Sequence, residues 1–195
     1  MNREKAWEIL NEYTKNPALI RHGLCVEAAL RHYAKLNGTD QDQWGIAGLL
    51  HDFDYERWPE PPEQTREGAK VLRQAGFDEE IVGAMLSHVP WNQDEYPRDR
   101  PIRKTLFAVD ELCGLIYAAA LVRPERLGGL KSKSIIKKMK QKAFAAAVSR
   151  EDIHEGTELL EMPLADHVTN CIEALQGIAA ELDLLPPESQ TEPVG

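Results

Sequence analysis

The spacing of apolar residues constrains this chain more than any other feature of its sequence. In nearly every segment they recur three or four positions apart, which is the period of an amphipathic helix, and no stretch sustains the apolar–polar alternation of a half-buried strand. The pattern predicts an all-α fold with about eight or nine helices. Their coarse predicted bounds are 3–15, 18–36, 41–53, 63–75, 78–89, 101–122, 131–148, 150–161 and 164–184.

Glycine and proline mark several of the predicted ends. Asn37-Gly38 closes the second helix, and the consecutive prolines Pro61-Pro62 predict a loop because proline lacks a backbone donor and clashes with a preceding helical turn. From position 186 onward the chain has prolines and charges but no apolar period. We therefore predict a single domain over residues 1–185 and a disordered tail over residues 186–195.

Charge and hydropathy limit the partners that this chain is expected to have. The formal net charge of −9 over 195 residues disfavours binding to a nucleic acid polymer, whose phosphates the surface would repel. The longest nearly uncharged stretch, residues 112–122, is about half of what a bilayer-spanning helix needs. We expect no nucleic acid polymer and no membrane as partner, and we make no prediction of the oligomeric state.

The cysteines and the start of the chain predict a cytoplasmic location. The first residues alternate in charge where a signal peptide needs an apolar run. The chain has 3 cysteines, which lie far apart and form no CxxC pair. We therefore expect reduced thiols that fill the core, although Cys25 as a nucleophile is the alternative.

Four ionisable residues interrupt otherwise apolar helix faces. His22 shares the apolar stripe of the second helix, the pair His51-Asp52 ends the third, and Asp110 lies in the middle of the stripe of the sixth. Each one alone is explained by a hydrogen-bonded core residue. Together they have the composition of a metal site, because nitrogen and oxygen donors without thiolate favour manganese, iron, cobalt, nickel or magnesium.

The order of these residues resembles the H…HD…D signature of the HD superfamily of metal-dependent phosphohydrolases. The resemblance covers roughly residues 18–122 and includes the run IAGLL directly before His51-Asp52 and the run FAVDEL around Asp110. The segment from Leu127 to Val148 also resembles the C-terminal part of bacterial sequences that are described only as predicted HD hydrolases.

The resemblance implies an HD-domain helical bundle in which His22, His51, Asp52 and Asp110 are the metal ligands. Relatives that hold two metals usually supply two further histidines between the HD pair and the last aspartate, and here only His88 is present. We therefore expect one divalent ion, which could be Mn, Fe, Co, Ni, Mg or Zn.

Three nearby residues are candidates for the chemical step. Asp54 and Glu56 follow the HD pair and could orient or deprotonate a metal-activated water, but either could instead anchor a loop. His88 shares an apolar stripe with Ile81 and Met85. His88 could contact phosphate or protonate the leaving group. The alternative is that His88 is a hydrogen-bonded histidine of the core.

Four basic residues are candidates for binding a small phosphorylated substrate. Lys131 and Lys133 begin a lysine-rich helix after a glycine pair, Arg123 follows the Asp110 helix, and Arg57 lies near the proline loop. The alternative for the lysines is a solvated helix face.

The leading hypothesis is a metal-dependent phosphohydrolase that acts on a small phosphate ester, a nucleotide being one such ester. A non-catalytic regulatory module that binds a metal or nucleotide is the first alternative. An oxygenase with two irons is the second.

Overall fold

The structure is a computed structural model that describes residues 2–187. Over these residues the chain is all-helical, as the periodicity predicts, with nine α-helices and one short 3₁₀ turn at Pro90–Asn92. The helices are α1 Arg3–Tyr13, α2 Pro17–Asn37, α3 Gln41–Leu50, α4 Glu63–Gln74, α5 Glu79–Ser87, α6 Pro101–Leu121, α7 Ser132–Met139, α8 Arg150–Leu159 and α9 Leu164–Gly177. The predicted tail lies outside the described residues from position 188 onward.

Helices α2 and α3 pack closely against each other, and glycine makes this possible. A Cβ atom on Gly48 would lie 2.8 Å from the carbonyl oxygen of Val26, and one on Gly23 would lie 3.0 Å from that of Leu49. Any larger residue at position 48 would therefore push the two backbones apart. This close approach brings the middle of α2 against the end of α3.

Helix α6 packs against α2 on one side and against α8 and α9 on others. One cluster of buried apolar side chains runs through these helices and extends from Ala6 in α1 to Leu184 near the C-terminal end of the described chain. His167 of α9 is buried inside it, where it lies 2.6 Å from the Tyr33 hydroxyl and 2.9 Å from the Ala108 carbonyl oxygen. Because both ring nitrogens have partners, this polar side chain can be buried without an unpaired group.

The predicted helix over residues 131–148 is wrong in its second half, because α7 ends at Met139. Ala145 adopts a positive φ of 44°, which an α-helix does not allow. The guanidinium of Arg150 donates to the carbonyl oxygens of Phe144, Ala145 and Val148. These contacts stabilise a folded-back loop in a segment whose alanines favour a helix.

Two other predicted helices are also too long. The one over residues 41–53 ends at Leu50 with His51 as its C-cap, and the one over residues 164–184 ends at Gly177. Turns follow in both places. Within residues 2–187, no helix is long and apolar enough to cross a membrane.

Candidate metal centre

Three helices bring the four ligands predicted from the sequence into one cluster. The Nε2 atom of His22 in α2 lies 2.8 Å from Oδ1 of Asp110 in α6. The Nε2 atom of His51, at the end of α3, lies 3.5 Å from the same oxygen and 3.6 Å from Oδ2 of Asp52. Donor atoms of His22, His51 and Asp52 all lie within 4.8 Å of one another. The cluster therefore has the dimensions of a site for one cation.

The tautomer of His51 is fixed by the helix that carries it. Its Nδ1 lies 2.8 Å from the carbonyl oxygen of Gly48, and because a carbonyl oxygen only accepts, Nδ1 must be the donor. In the neutral ring Nε2 then carries a lone pair, which faces the carboxylates of Asp52 and Asp110. Nε2 is buried and has no hydrogen-bond partner among the described residues.

The charges of the cluster favour a cation at its centre. Burial alone would lower the pKa of His51, but the carboxylates of Asp110 and Asp52 outweigh it and raise that pKa to about 9. Burial raises the pKa of Asp52, but His51 and His88 overcome this and hold it at about 2. The pKa of Asp110 is likewise held well below its ordinary value by His51 and His22 against the effect of burial. Two carboxylates thus remain charged around Nε2 of His51, which takes up a proton near neutral pH, and a metal ion would replace that proton.

These residues fit a divalent metal ion. Donor atoms of His22, His51 and Asp52 converge on one volume, Asp110 contacts both histidines, and the described residues place no thiolate in this group. The His51 side chain is fully buried, whereas those of His22, Asp52 and Asp110 are 24%, 25% and 22% exposed. The cluster is therefore closed on the His51 side and open to solvent on the other, which is typical of a catalytic rather than a closed structural metal site.

His88 lies directly beside the cluster. Its Nδ1 is 2.6 Å from the carbonyl oxygen of Met85, so this histidine also presents Nε2 inward, at 3.2 Å from Oδ1 of Asp52. Its ring centroid is 5.3 Å from that of His51. The residue is only 8% exposed. The helix end that carries His88 thus aims its Nε2 at the Asp52 carboxylate, next to the His51 ring.

The two other acidic candidates have structural partners. Oδ2 of Asp54 accepts hydrogen bonds from the backbone N–H groups of Thr65 and Gly68 at 2.8 and 3.0 Å, and burial raises the pKa of Asp54 to about 6. The exposed Glu56 accepts from the backbone N–H groups of Lys15 and Asn16. These contacts favour the anchoring alternative for both carboxylates, and a catalytic role stays a prediction.

The structure does not bring the basic candidates into the cluster. The guanidinium of Arg57 lies over the Tyr13 ring at 3.8 Å, and that of Arg123 donates to the carbonyl oxygens of Arg126 and Gly128. The end of α6 is about 16 Å from Asp110 along the helix axis, at about 1.5 Å per residue. Arg123 lies beyond that end, too far for its side chain to touch a phosphate held at the cluster.

The two lysines proposed for phosphate binding lie on the surface. Lys131 is the N-cap of α7 and Lys133 is in its first turn; both are exposed. Their exposure favours the alternative that they belong to a solvated helix face, and a contact with phosphate stays a prediction.

The sequence gives no signal for Gln64, which the structure places at the cluster. Its Nε2 lies 3.3 Å from Oδ1 of Asp52. Gln64 falls among charged residues just after the proline loop and shares no apolar stripe, so periodicity could not select it. Its position depends on a local turn in the backbone at Gln64 and Thr65, which are not helical although they fall within the bounds of α4.

The fold and the cluster define a helical protein with a histidine–aspartate site of the kind that holds a divalent metal. The family model of the HD domain matches residues 19–113, about half of the chain, and this stretch contains His22, the pair His51-Asp52 and Asp110. The chain therefore belongs to the HD-domain superfamily, whose members are mostly metal-dependent phosphohydrolases. Comparisons with curated proteins and with solved structures found no match.

Proposed function

We propose that the protein is a metal-dependent phosphohydrolase that acts on a small phosphate ester. The observation that carries this proposal is the buried, unpartnered Nε2 of His51, which faces two ionised carboxylates at the bottom of a cluster open to solvent. Charged carboxylates are costly to bury, and their convergence with imidazole nitrogens at one solvent-accessible point supports a site in which a metal ion compensates the charge.

In this proposal His22, His51, Asp52 and Asp110 hold one divalent ion. When bound, the ion supplies a Lewis acid for a phosphoryl oxygen and lowers the pKa of water. The backbone contact of Gly48 keeps the His51 ring in the orientation that this requires. Asp52 and Asp110 compensate the charge of the ion, and their exposed edges leave a side open for substrate and water.

His88 is the residue that we assign to proton transfer or phosphate contact. The carbonyl oxygen of Met85 holds its Nδ1 proton, so only Nε2 is free to carry a proton to a leaving group. The end of α5 is held in turn by Arg98, whose guanidinium donates to the carbonyl oxygens of Ser87 and His88 at 3.2 and 2.9 Å. His88 is thus fixed at both its ring and its backbone, as a positioned acid requires.

The charge of the chain supports a small substrate. With a net charge of −9, the surface as a whole repels long polyanions. A single phosphate group needs attraction only at one point, and the ion held by the cluster would supply it. Nucleoside monophosphates and sugar phosphates are therefore the first substrates to test.

The test is a phosphate-release assay on a panel of phosphorylated metabolites. The protein is stripped with a chelator and assayed with Mn²⁺, Co²⁺, Ni²⁺, Mg²⁺, Fe²⁺ or Zn²⁺ added singly. We expect release that depends on the added ion and is absent in Asp110→Asn, which keeps the shape of the side chain but removes its charge. The exposed Asp94→Asn is the matched control.

Two results would contradict the proposal. Stoichiometric metal binding without turnover of any ester in the panel would favour the regulatory module. Two irons per chain with consumption of dioxygen would favour the oxygenase.

A further inference from the structure

The two oxygens of the Asp52 carboxylate face different groups. Oδ2 lies 3.6 Å from Nε2 of His51, on the side of the cluster where the four proposed ligands converge. Oδ1 lies 3.2 Å from Nε2 of His88 and 3.3 Å from Nε2 of Gln64. The carboxylate is therefore held in one orientation by contacts at both of its ends.

We propose that Gln64 is a positioning residue that holds Oδ1 of Asp52 and so keeps Oδ2 directed at the metal position. This inference rests on the proposed function, because it assigns Asp52 the role of a metal ligand. The carboxamide N–H of Gln64 is the donor in this pair, since an ionised carboxylate only accepts. A hydrogen bond to a charged acceptor is strong enough to bias the rotation of the carboxylate about its last bond.

Gln64 is rigidly placed by its neighbour in the chain. Thr65 has a φ of 67°, in the left-handed region that a β-branched residue rarely adopts. Its backbone N–H is held by Oδ2 of Asp54, and the same oxygen accepts from the N–H of Gly68. A Cβ atom on Gly68 would lie 2.5 Å from that oxygen, so the approach requires glycine. The strained turn is thus maintained by a buried carboxylate.

A second buried side chain, that of Asn92, also holds the turn. Nδ2 of Asn92 donates to Oγ1 of Thr65 at 2.9 Å and to the carbonyl oxygen of Leu86 at 3.1 Å, while Oδ1 of Asn92 accepts from Nε of Arg66. Asn92 is 1% exposed and Gln64 is 7% exposed. A non-glycine residue is costly to keep in this backbone conformation. The contacts of Asp54 and Asn92 stabilise this turn next to the proposed ligand Asp52, and they thereby fix the position of Gln64.

The size of the expected loss in metal affinity can be taken from other proteins in which a residue hydrogen-bonded to a metal ligand is removed. Removal of such a partner typically lowers metal affinity or activity by about 10–100-fold. Gln64→Ala should lower Mn²⁺ affinity by about 10-fold, because His88 still holds Oδ1 of Asp52. Gln64→Asn keeps the carboxamide but is shorter by one methylene, so it should show a similar loss.

The experiment measures Mn²⁺ affinity of the full chain by isothermal titration calorimetry, the visible spectrum of the Co²⁺ form, and the midpoint of thermal unfolding. The matched control is Gln74→Ala, which makes the same change at an exposed position of the same helix. We expect weaker Mn²⁺ binding and an altered Co²⁺ spectrum in both Gln64 variants, with wild-type values for Gln74→Ala.

Wild-type affinity and spectrum in Gln64→Ala would overturn the positioning role while leaving the proposed function in place. A loss in Gln64→Ala that accompanies a lower unfolding midpoint, with wild-type binding in Gln64→Asn, would also overturn it, because that pattern reports a packing role. A wild-type chain that binds none of the divalent ions would instead overturn the proposed function, and the inference with it.

Discussion

The Nε2 atom of His22 lies 2.8 Å from Oδ1 of Asp110, although 88 residues separate them in the chain. Both side chains lie on helices whose other inward positions are mostly apolar, and the two helices pack directly against each other. The carboxylate therefore has an imidazole partner where the pattern of the helix would otherwise place an aliphatic side chain. His51 approaches the same oxygen to 3.5 Å, which makes Asp110 the point where three helices meet.

Asp52→Ala should abolish both metal binding and phosphate release. Asp52 contributes one of the two carboxylates that face Nε2 of His51, and without it the site loses charge and an oxygen donor. Elemental analysis of the purified variant after dialysis against Mn²⁺ measures the first effect, and the phosphate-release assay measures the second. The matched control is Asp94→Ala, an exposed aspartate that should keep wild-type values.

A variant that keeps its metal but loses turnover would contradict this prediction. Asp52 would then be an acid or base in the chemical step, and the ligand set would consist of His22, His51 and Asp110 alone.

Gly68→Ala should destabilise the fold and weaken metal binding together. The new Cβ would lie 2.5 Å from Oδ2 of Asp54 and equally close to Cε of Met85, so the start of α4 must move. Overpacking of this kind costs about 1–3 kcal/mol in the free energy of unfolding. Urea unfolding measures the loss, and Mn²⁺ titration measures the effect on the cluster.

The control for this change is Gly177→Ala at the end of α9. A Cβ there meets no atom within 4 Å, so the variant should be neutral or more stable by up to about 1 kcal/mol from helix propensity. Equal losses in the two variants would show that the close approach at Gly68 has no special cost.

The proposed ligands could be found from the sequence because they break an apolar period. A histidine or aspartate at an inward helical position is costly to bury, so His22, His51 and Asp110 stand out before any coordinates are known. Asp52 is selected by its neighbour His51 in the HD pair rather than by an apolar period. The same reasoning gives the helical class of the fold, which depends only on the period.

Other features depend on contacts between distant segments and have no local signal. Arg150 lies after α7 and donates hydrogen bonds to the carbonyl oxygens of Ala145 and Val148. These bonds hold a turn in a segment whose residue propensities alone predict a helix. Gln64 lies outside every stripe and reaches the cluster through the strained turn at Thr65. Both features depend on hydrogen bonds between segments that are apart in the chain. The residues next to each position in the sequence do not indicate these bonds.

The contribution of His167 to stability should fall as the pH falls. Burial lowers the pKa of His167, whose ring is neutral between Tyr33 and the carbonyl oxygen of Ala108. Because the folded pKa is below the unfolded value, the stabilisation is present above about pH 6.5 and decreases below it by up to about 1.4 kcal/mol per pH unit. The chain should therefore lose more stability between pH 7 and pH 5 than His167→Gln does.

Urea unfolding of the two proteins at pH 8, 7, 6 and 5 checks this expectation. The difference between wild type and His167→Gln should be largest at pH 8 and should shrink toward pH 5. The exposed His154→Gln serves as control and should follow the wild type. A difference that is constant across this range would mean that His167 titrates equally in the folded and unfolded chains.

His88→Ala should keep one bound metal and lose most of its turnover. Its Nε2 contacts Oδ1 of Asp52, whereas His51 faces Oδ2, and His88 is not one of the four proposed ligands. Loss of a positioned acid or base typically lowers the rate by about 10²–10⁴-fold. Metal content by elemental analysis and turnover in the phosphate-release assay separate these two effects, with the exposed His154→Ala as control.

Two outcomes would reject this role for His88. Unchanged turnover would make it a core histidine whose contact with Asp52 only fills space. Two metals per chain in the wild type, with one lost in His88→Ala, would make His88 a ligand, since its inward Nε2 and Oδ1 of Asp52 are 3.2 Å apart and both accept a cation. In that case the oxygenase becomes the leading function, and consumption of dioxygen by the iron-loaded protein is the measurement that decides it.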